Sequence, residues 1–349
     1  MSFQPKCLPT AIGSLPHAAA ADALRVVFAA LPEAPIWPQL PARGLNEQME
    51  VQYNEGLPRV VIDRDKGRMY VDTSGDTSLD LATFYEHYLG EDLDYFRITP
   101  EFSEGLHAAL ALLKGEGKKR PFVKVQTTGP LSFGLTITDE AKRAIYYNAE
   151  FCDVIVKGLA MKCRWQIQQF SPYAEQVICF VDEPILSAFG SSTYVSVQRD
   201  DVVAKLGEVI EAVHAEGALA GVHCCGNTEW PLLIDAGADI VNFDAFEFGH
   251  TIAYYPEQVS KHLEKGGVLA WGVVPTNADR IRANSVDDLI LKFTQGVEGL
   301  AAKGVDRDLI LRQAMLTPSC GTGSLPVPEA EMVFDKLRQT SERIRQTLL

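Results

Sequence analysis

The sequence predicts an α/β fold, a single (β/α)8 TIM barrel spanning residues 1–349. Short apolar runs alternate along the chain with stretches of helical periodicity, which is typical of repeated β-α units. Eight such runs occur, the number that a closed barrel of this kind needs. The length would accommodate one domain or two, but no repeat, low-complexity tract or Pro/Gly/Ser-rich linker marks a boundary. We therefore expect one barrel.

The eight apolar runs are the predicted barrel strands. They begin at Leu8, Pro35, Phe122, Val177, Ala218, Asp239, Val268 and Leu309. Helical stretches separate most of them, including a long one from Glu140 and a closing one from Glu329. Barrel enzymes build their active sites on the face where the strands end. Residues that directly follow the runs are therefore the candidates for function.

One segment, from about Arg59 to Lys119, interrupts this rhythm between the second and third runs. Within it RVVID and RMYVD predict a hairpin, and DLATFYEHYL and SEGLHAALALL predict two helices. We interpret the segment as an insertion that packs as a cap over one mouth of the barrel.

The motif VHCCGNTEW follows the fifth run and supplies a pair of candidate metal ligands. Alternate side chains of an extended segment share a face, so His223 and Cys225 point one way and Cys224 points the other. A further thiol, Cys320 in LTPSCGTG, follows the eighth run. Imidazole with two thiolates is a ligand set for zinc rather than for calcium or magnesium. The alternative is a group of buried free cysteines beside a hydrogen-bonded core histidine.

Carboxylates follow three other runs. Asp244 and Glu247 come after the sixth run, where either could complete a metal shell. Asp182 ends the fourth run in VDEP, so it is either buried with a partner or faces the barrel mouth, where it can hold an ammonium group. Glu47 follows the second run and is a polar candidate near the mouth, the alternative being a solvated helix carboxylate.

Glycine-containing turns follow the first and third runs. In IGSLPH, Gly13 allows a close backbone approach, and Ser14 with the adjacent N–H groups could hold a carboxylate. A Gly-Ser pair before a helix is also an ordinary N-cap arrangement. The turn TTGP, with Gly129, predicts a rigid pocket floor rather than reacting groups.

The charge and composition exclude several classes of partner. With 32 basic and 46 acidic residues the formal net charge is −14, which argues against nucleic acid and anionic membrane surfaces. No stretch approaches the roughly 20 apolar residues that span a bilayer. The start MSFQPKCLPT lacks the apolar core of a signal peptide, so we expect a cytoplasmic protein. Its seven scattered cysteines are then expected to be reduced thiols.

Five short motifs at the predicted strand ends resemble the catalytic barrel of cobalamin-independent methionine synthase, in that family's order: IGSLP, TTGP, VDEP, H-C-C and PSCG. The similarity runs from Ile12 to Gly321. The GNT after Cys225 and the GVVP after the seventh run look more like methylcobalamin:coenzyme M methyltransferases. Those enzymes belong to the same superfamily, which also contains uroporphyrinogen decarboxylase.

This resemblance implies roles for individual residues. The family's zinc ligands fall on His223, Cys225 and Cys320, with its strand-six acid on Asp244. Its contacts to the amino-acid substrate fall on Ile12, Gly13, Ser14 and Asp182, and less directly on Glu47. The resemblance thus implies a zinc-activated thiol with its amino-acid part held by the first and fourth strands.

Two departures from the family pattern bear on the methyl donor. The large methionine synthases carry a second, amino-terminal barrel that helps to bind folate, and 349 residues are too few to contain it. Their catalytic barrel also has a histidine after the seventh strand that resembles a proton donor to the departing folate, whereas GVVPTN has none. Both departures favour a methylated corrinoid, free or on a corrinoid protein, over methyltetrahydrofolate.

The sequence therefore predicts a zinc-dependent methyltransferase that makes methionine from homocysteine with a corrinoid-bound methyl group. One alternative is an enzyme of the same class acting on another thiol such as coenzyme M. Another is a uroporphyrinogen decarboxylase-like barrel, although the arginine-rich amino-terminal stretch of that family is missing from MSFQPKCLPTAIGSLPH. A third is a non-catalytic zinc-binding partner, whose zinc would be closed by four protein ligands.

Overall fold

The main element of the protein is a curled parallel sheet. The structure, a computed structural model, describes residues 3–348. The strands in this range are β1 (Leu8–Pro9), β2 (Val60–Asp63), β3 (Arg68–Val71), β4 (Arg120–Thr128), β5 (Thr138–Asp139), β6 (Ala174–Asp182), β7 (Leu219–Cys224), β8 (Ile240–Phe243), β9 (Val268–Val274) and β10 (Ala314–Pro318). Seven of them form the main sheet in the order β1-β10-β9-β8-β7-β6-β4. All its neighbouring strands are parallel, so their carboxyl ends meet at one edge.

Helices separate most of these strands, as the sequence predicts. They are α1 (Ala20–Ala30), α2 (Ser78–Leu89), α3 (Glu104–Glu116), α4 (Pro130–Thr136), α5 (Ala149–Phe170), α6 (Arg199–Ala215), α7 (Trp230–Asp235), α8 (Ala245–Phe248), α9 (Pro256–Glu264), α10 (Ala278–Ala283), α11 (Val286–Ala301), α12 (Arg307–Arg312) and α13 (Val327–Thr347). Short 3₁₀ turns occupy Pro41–Arg43, Leu45–Glu47, Val51–Tyr53, Ile145–Tyr147, Ser171–Tyr173, Pro184–Ala188, Ser192–Tyr194 and Thr251–Tyr254. Within residues 3–348 no helix combines the length and apolar character needed to cross a bilayer.

Each strand of the main sheet is buried on both faces. Because side chains alternate along a strand, Ile178 and Phe180 of β6 join a small apolar cluster made almost entirely of strand residues. Val177, Cys179 and Val181 of the same strand join a much larger cluster that includes the helices. Burial on both faces explains why the runs read as continuously apolar rather than alternating.

The predicted second strand lies between the two edge strands of this sheet. Single parallel bridges pair Ser14 with Gln39 on one side and Ile36 with Lys124 on the other. The run PIWPQL contains two prolines, which have no N–H to donate, so the segment is held by isolated bridges instead of a regular ladder. The α/β fold with a parallel, curled sheet is thus present.

The eighth apolar run divides into a helix and a strand. Its first residues belong to α12, because the side chain of Asp306 caps that helix by accepting from the Leu309 N–H at 3.0 Å. The strand β10 begins only at Ala314. The prediction of a strand from Leu309 was therefore wrong at its start, since the helix cap at Asp306, eight residues before the strand, outweighs the apolar character of LIL.

The junction between β1 and β10 joins distant parts of the chain. Leu8 pairs with Met315 in a parallel register. Beyond the strands, the N–H of Thr322 donates to the carbonyl of Ser14 at 2.8 Å. The hydroxyl of Ser341 in α13 donates to the carbonyl of Cys7 at 2.8 Å. The first strand is therefore fixed by residues more than three hundred positions later.

The segment from Arg59 to Lys119 contains the predicted hairpin and helices. Strands β2 and β3 pair antiparallel, and β5 adds to β3 to give a separate three-stranded sheet. Helix α3 packs against α1, and α2 packs against α5. Gly105 brings the backbone of α3 so close to the Pro38 carbonyl that a Cβ there would overlap its oxygen. The role of the segment as a cap stays a prediction.

The side chain of Lys162 in α5 forms hydrogen bonds to the backbone of this segment and of the residues just before it. The side chain is fully buried, and its Nζ donates to the backbone carbonyls of Phe96, at 3.1 Å, and of Glu55. Burial lowers the pKa of Lys162 to about 7, and the negative charge of Glu55 only partly opposes this.

We expect Lys162 to make the protein more stable as the pH rises. Its folded pKa lies below the value of about 10.4 in an unfolded chain, so between the two the unfolded state binds more protons. Burial of Lys162 therefore reduces the free energy of unfolding by its full amount below the folded pKa, and by nothing above the unfolded pKa. From pH 7 to pH 9 this reduction should become smaller by about 2 kcal/mol. Urea denaturation at both pH values should show this rise in the parent and not in Lys162→Met; an equal rise in both would assign it to another group.

Candidate metal centre

A cavity of about 530 Å³ opens at the carboxyl edge of the main sheet. It is lined by residues that end or follow the strands, including Ile12, Ser14, Gln39, Glu47, Asp182, His223, Cys225 and Cys320. Parallel strands bring these residues together although they are spread from position 12 to position 320. Its remaining lining residues come from the same parts of the chain, and the segment from Arg59 to Lys119 supplies none.

Three of the predicted ligands meet in this cavity. One ligand atom from each of His223, Cys225 and Cys320 lies within 4.8 Å of the others. The imidazole is buried, and both thiols are partly exposed to the cavity. Cys224, between the two ligands in sequence, is fully buried on the opposite face, as the alternation predicts, and its Sγ lies 3.6 Å from the carbonyl of Gly226. The arrangement is compatible with a metal site.

The imidazole of His223 fits a metal. Its Nδ1 lies 2.5 Å from Oδ1 of Asn242, whereas its Nε2 is buried and has no hydrogen-bond partner among the described residues. A buried polar atom without a partner is unfavourable unless something else satisfies it. A metal ion shared with two thiols would do so, and ligating histidines usually donate from their other ring nitrogen as His223 does.

The two thiols ionise unequally. The neighbouring Cys320 thiol, followed by His223, lowers the pKa of the Cys225 thiol. The same proximity to Cys225 raises the pKa of Cys320. Cys225 is therefore the thiol that ionises first, and a cation would allow the second thiol to ionise as well.

Asp182 lies beside the triad with an unsatisfied oxygen. It pairs in register with His223 across β6 and β7, is 5% exposed, and its Oδ1 is buried without a hydrogen-bond partner. Desolvation raises its pKa to about 6, although the positive charge of Lys124 opposes the shift. Asp182 lines the cavity, and no ion pair holds it among residues 3–348. Its role in holding an ammonium group stays a prediction.

Asp244 is buried near the triad but lies outside the group of three. Its Oδ1 accepts from the N–H of Glu247 at 2.9 Å and so caps α8. Burial raises its pKa to about 7, and the charges of Cys225 and His223 also act on it. Glu247 instead pairs with Arg280 at a half-exposed position. A role for Asp244 as a fourth ligand or outer-shell group stays a prediction.

The turn after β1 also lines the cavity, through Ile12 and Ser14. The carbonyl of Ile12 accepts from the fully buried Lys124, and a Cβ on Gly13 would overlap the Gln39 side chain. Glycine at position 13 therefore leaves room for the Gln39 side chain. The Oγ of Ser14 accepts from the N–H of Gly323 at 3.2 Å, which ties the first turn to the loop after β10.

Glu47 is a second carboxylate with a free oxygen in the cavity. Its Oε1 accepts from Arg43 at 2.7 Å, while its Oε2 is buried without a partner among the described residues. The side chain is 5% exposed, so the alternative of a solvated helix carboxylate is wrong. Desolvation raises its pKa despite the neighbouring guanidinium.

Three buried residues that support the cavity were not predicted from the sequence. Glu183 is fully buried and accepts from the N–H groups of Leu131 and Ser132, both at 2.8 Å, so it anchors the turn after β4. Lys124 and Asn242 are likewise fully buried at the centre of strands. A polar residue inside an apolar run, as in FVKVQT and DIVNFD, is the signal that could have found the last two.

The comparisons with known proteins leave the family open. No protein-family model matches the sequence, and no curated protein matches it. Similar solved structures include A. niger ochratoxinase, at 15% identity and a TM-score of 0.28 over 52% of this chain. A putative fructose-1,6-biphosphate aldolase from Coccidioides immitis matches at 12% identity and a TM-score of 0.28, over 70% of this chain and 84% of that one. This chain spans 41% of the ochratoxinase, and both similarities are too low to bear on fold or function.

Proposed function

We propose that this protein is a zinc-dependent thiol methyltransferase that methylates homocysteine to methionine with a corrinoid-bound methyl group. The observation that carries the proposal is one cavity lined by two thiols, an imidazole nitrogen without a partner and a carboxylate oxygen without a partner. The first three form a soft cation site, and the fourth offers a place for a positively charged group.

The fold proposed for this function is a closed barrel of eight members. The segment from Pro35 to Leu40 would complete it, supported by its bridges to Ser14, which follows β1, and to Lys124 of β4. In such a barrel the cavity occupies the catalytic face. The proposal also takes residues 1–349 as one domain.

Zinc is the metal proposed for the site because imidazole and thiolate ligands favour it over harder cations. With three protein ligands it would keep an open position, where it would lower the pKa of a bound substrate thiol. His223, Cys225 and Cys320 would hold it, and Asp244 would act as a fourth or outer-shell group. An open position also separates this proposal from a closed, structural zinc site.

Carboxylates determine which thiol the cavity would accept. Asp182 and Glu47 both line the cavity, and each has a buried oxygen without a partner among the described residues, which is favourable for an ammonium group and unfavourable for a sulfonate. Ser14 and the backbone of Ile12 and Gly13 would contact the carboxylate end of an amino acid. A volume of about 530 Å³ suits a small substrate. Homocysteine therefore fits this chemistry better than coenzyme M.

A methylated corrinoid remains the proposed donor, free or bound to a corrinoid protein. The loop after β9, Pro275–Asn277, offers no histidine to protonate a departing folate. A corrinoid leaves without protonation, so the residues of the cavity need only align the thiol with the methyl group and exclude water.

We expect Asp182→Asn to slow methyl transfer from methylcobalamin to homocysteine far more than to mercaptoethanesulfonate. Loss of a charge-assisted hydrogen bond of about 1.5–3 kcal/mol corresponds to roughly 10- to 150-fold in rate. The sulfonate thiol has no amine, so its rate should change little.

The comparison has two contrary outcomes. If both thiols slow equally, Asp182 acts on the metal site or the fold instead of on the substrate. If the parent prefers mercaptoethanesulfonate from the start, the homocysteine proposal is wrong and the alternative of a coenzyme M-like substrate replaces it. Zinc content measured in the same preparations shows whether the substitution has disturbed the metal.

A further inference from the structure

A buried amide connects three strands directly beneath the triad. Asn242 of β8 is fully buried, and its Nδ2 donates to the carbonyl of Ala270 in β9 and to Oγ1 of Thr317 in β10, both at 2.8 Å. Its Oδ1 lies 2.5 Å from Nδ1 of His223 in β7. Every hydrogen-bonding group of this amide is therefore used.

The carbonyl of Ala270 fixes which way the amide faces. A backbone carbonyl can only accept, so the NH₂ group of Asn242 must be the end that faces it. The amide oxygen then faces His223, and because that oxygen also can only accept, Nδ1 of the imidazole must carry a proton. A neutral imidazole protonated at Nδ1 has its lone pair on Nε2, the atom that lacks a partner within residues 3–348.

We propose that Asn242 is the positioning residue of the metal centre: it selects the Nδ1–H tautomer of His223 and thereby presents the Nε2 lone pair to the cation. The inference rests on the metal site of the proposed function and not on the methyl-transfer reaction. Without this acceptor the imidazole would be free to place its proton on Nε2, where it excludes a metal ion. It would also be free to rotate.

Thr317 supports Asn242 from the neighbouring strand. Its side chain is fully buried, and its hydroxyl oxygen accepts the second N–H of the amide. The contact to Ala270 remains when this hydroxyl is removed, so the amide keeps its orientation and loses only part of its restraint. The contacts therefore predict effects of different size: substitution of Asn242 should affect the metal site strongly, and Thr317→Val should affect it weakly.

The first test reads the tautomer directly in metal-free protein, at a pH above the pKa of His223 so that its imidazole is neutral. Long-range ¹H–¹⁵N spectra of protein labelled at its seven histidines distinguish a proton on Nδ1 from one on Nε2. His223 is assigned by the signals that disappear in His223→Gln. We expect the Nδ1–H pattern in the parent and its loss in Asn242→Leu. An unchanged Nδ1–H pattern in Asn242→Leu would overturn the proposal.

The second test measures zinc affinity by competition with a chromophoric chelator. Partners of ligating residues typically contribute about 10- to 100-fold to metal affinity, and we expect a loss in this range for Asn242→Leu. Thr317→Val should lose only a few-fold. Asn242→Asp retains an oxygen opposite Nδ1, so it should restore the Nδ1–H tautomer and part of the affinity, and it decides the question if Asn242→Leu does not fold.

Gln313 provides the matched control. It is another buried amide, 3% exposed, and its Nε2 donates to the carbonyls of Leu263, at 2.8 Å, and Gly267. Like Asn242→Leu, Gln313→Met removes two hydrogen bonds donated by a buried amide nitrogen, but it does not touch His223, so its zinc affinity should equal that of the parent. Equal losses in Gln313→Met and Asn242→Leu would show a general loss of stability and overturn the proposal. Because neither readout uses methyl transfer, failure of the proposed reaction would leave both results standing.

Discussion

The Cys320→Ser variant is expected to lose most of its zinc, while the parent purified without chelator should contain about one zinc per chain. The thiol is one of three ligand groups within 4.8 Å of one another, and it lies in the loop after β10 rather than beside the other two in sequence. A hydroxyl is a much poorer ligand for zinc than a thiolate. Elemental analysis of both proteins measures the difference.

Cys224→Ser is the control for that experiment. Cys224 adjoins Cys225 but faces the other side of β7, and a hydroxyl there could still donate to the carbonyl of Gly226. Its zinc content should match that of the parent. Full retention of zinc in Cys320→Ser would remove Cys320 from the ligand shell, and equal loss in both variants would indicate a damaged fold instead.

The Gly105→Ala variant is expected to lose at least about 3 kcal/mol of unfolding free energy, at the upper end of typical overpacking effects. A Cβ at this position overlaps the carbonyl oxygen of Pro38, and that obstacle is backbone rather than a side chain that could rotate away. Helix α3 would have to move away from the segment from Pro35 to Leu40, which contains Pro38. Chemical denaturation monitored by circular dichroism measures the loss.

Gly115→Ala, in the same helix, gives the opposite expectation. Nothing lies within 4 Å of a Cβ built there. Replacing glycine by alanine inside a helix then stabilises by up to about 1 kcal/mol. If Gly105→Ala is as stable as Gly115→Ala, α3 does not pack against the Pro38 carbonyl as described.

The triad illustrates what the sequence can reveal. The period of an extended strand predicts that His223 and Cys225 share a face and that Cys224 does not, and the structure has that arrangement. The approach of Cys320 depends on the fold, yet it was predictable because parallel strands align their carboxyl ends. Local geometry and topology together therefore predicted where the three side chains meet.

The elements that were missed depend on contacts between distant residues. A polar residue inside an apolar run marks Asn242 in the sequence, but its place in the site depends on its partners on β7, β9 and β10, none of which adjoins it in sequence. The burial of Glu47 follows from its contacts with Arg43 and with the start of α3. The sequence around Glu47 could not show the contact with α3, so it did not decide between a buried and a solvated carboxylate. The helix at Leu309 was missed for a different reason, since the Asp306 cap preceding an apolar run is a local signal that was available.

The pairing of β1 with β10 affects how the protein can be made. On a ribosome, Leu8 emerges long before its partner Met315, by roughly 15 to 60 seconds at synthesis rates of about 5–20 residues per second. For that time one side of the nascent first strand lacks its neighbour, and such open edges promote misassociation. Cys320 lies two residues after β10, so its thiol is synthesised only after the last strand of the main sheet. A zinc ion held by all three residues would therefore join the protein at the stage when β1 first meets its neighbour.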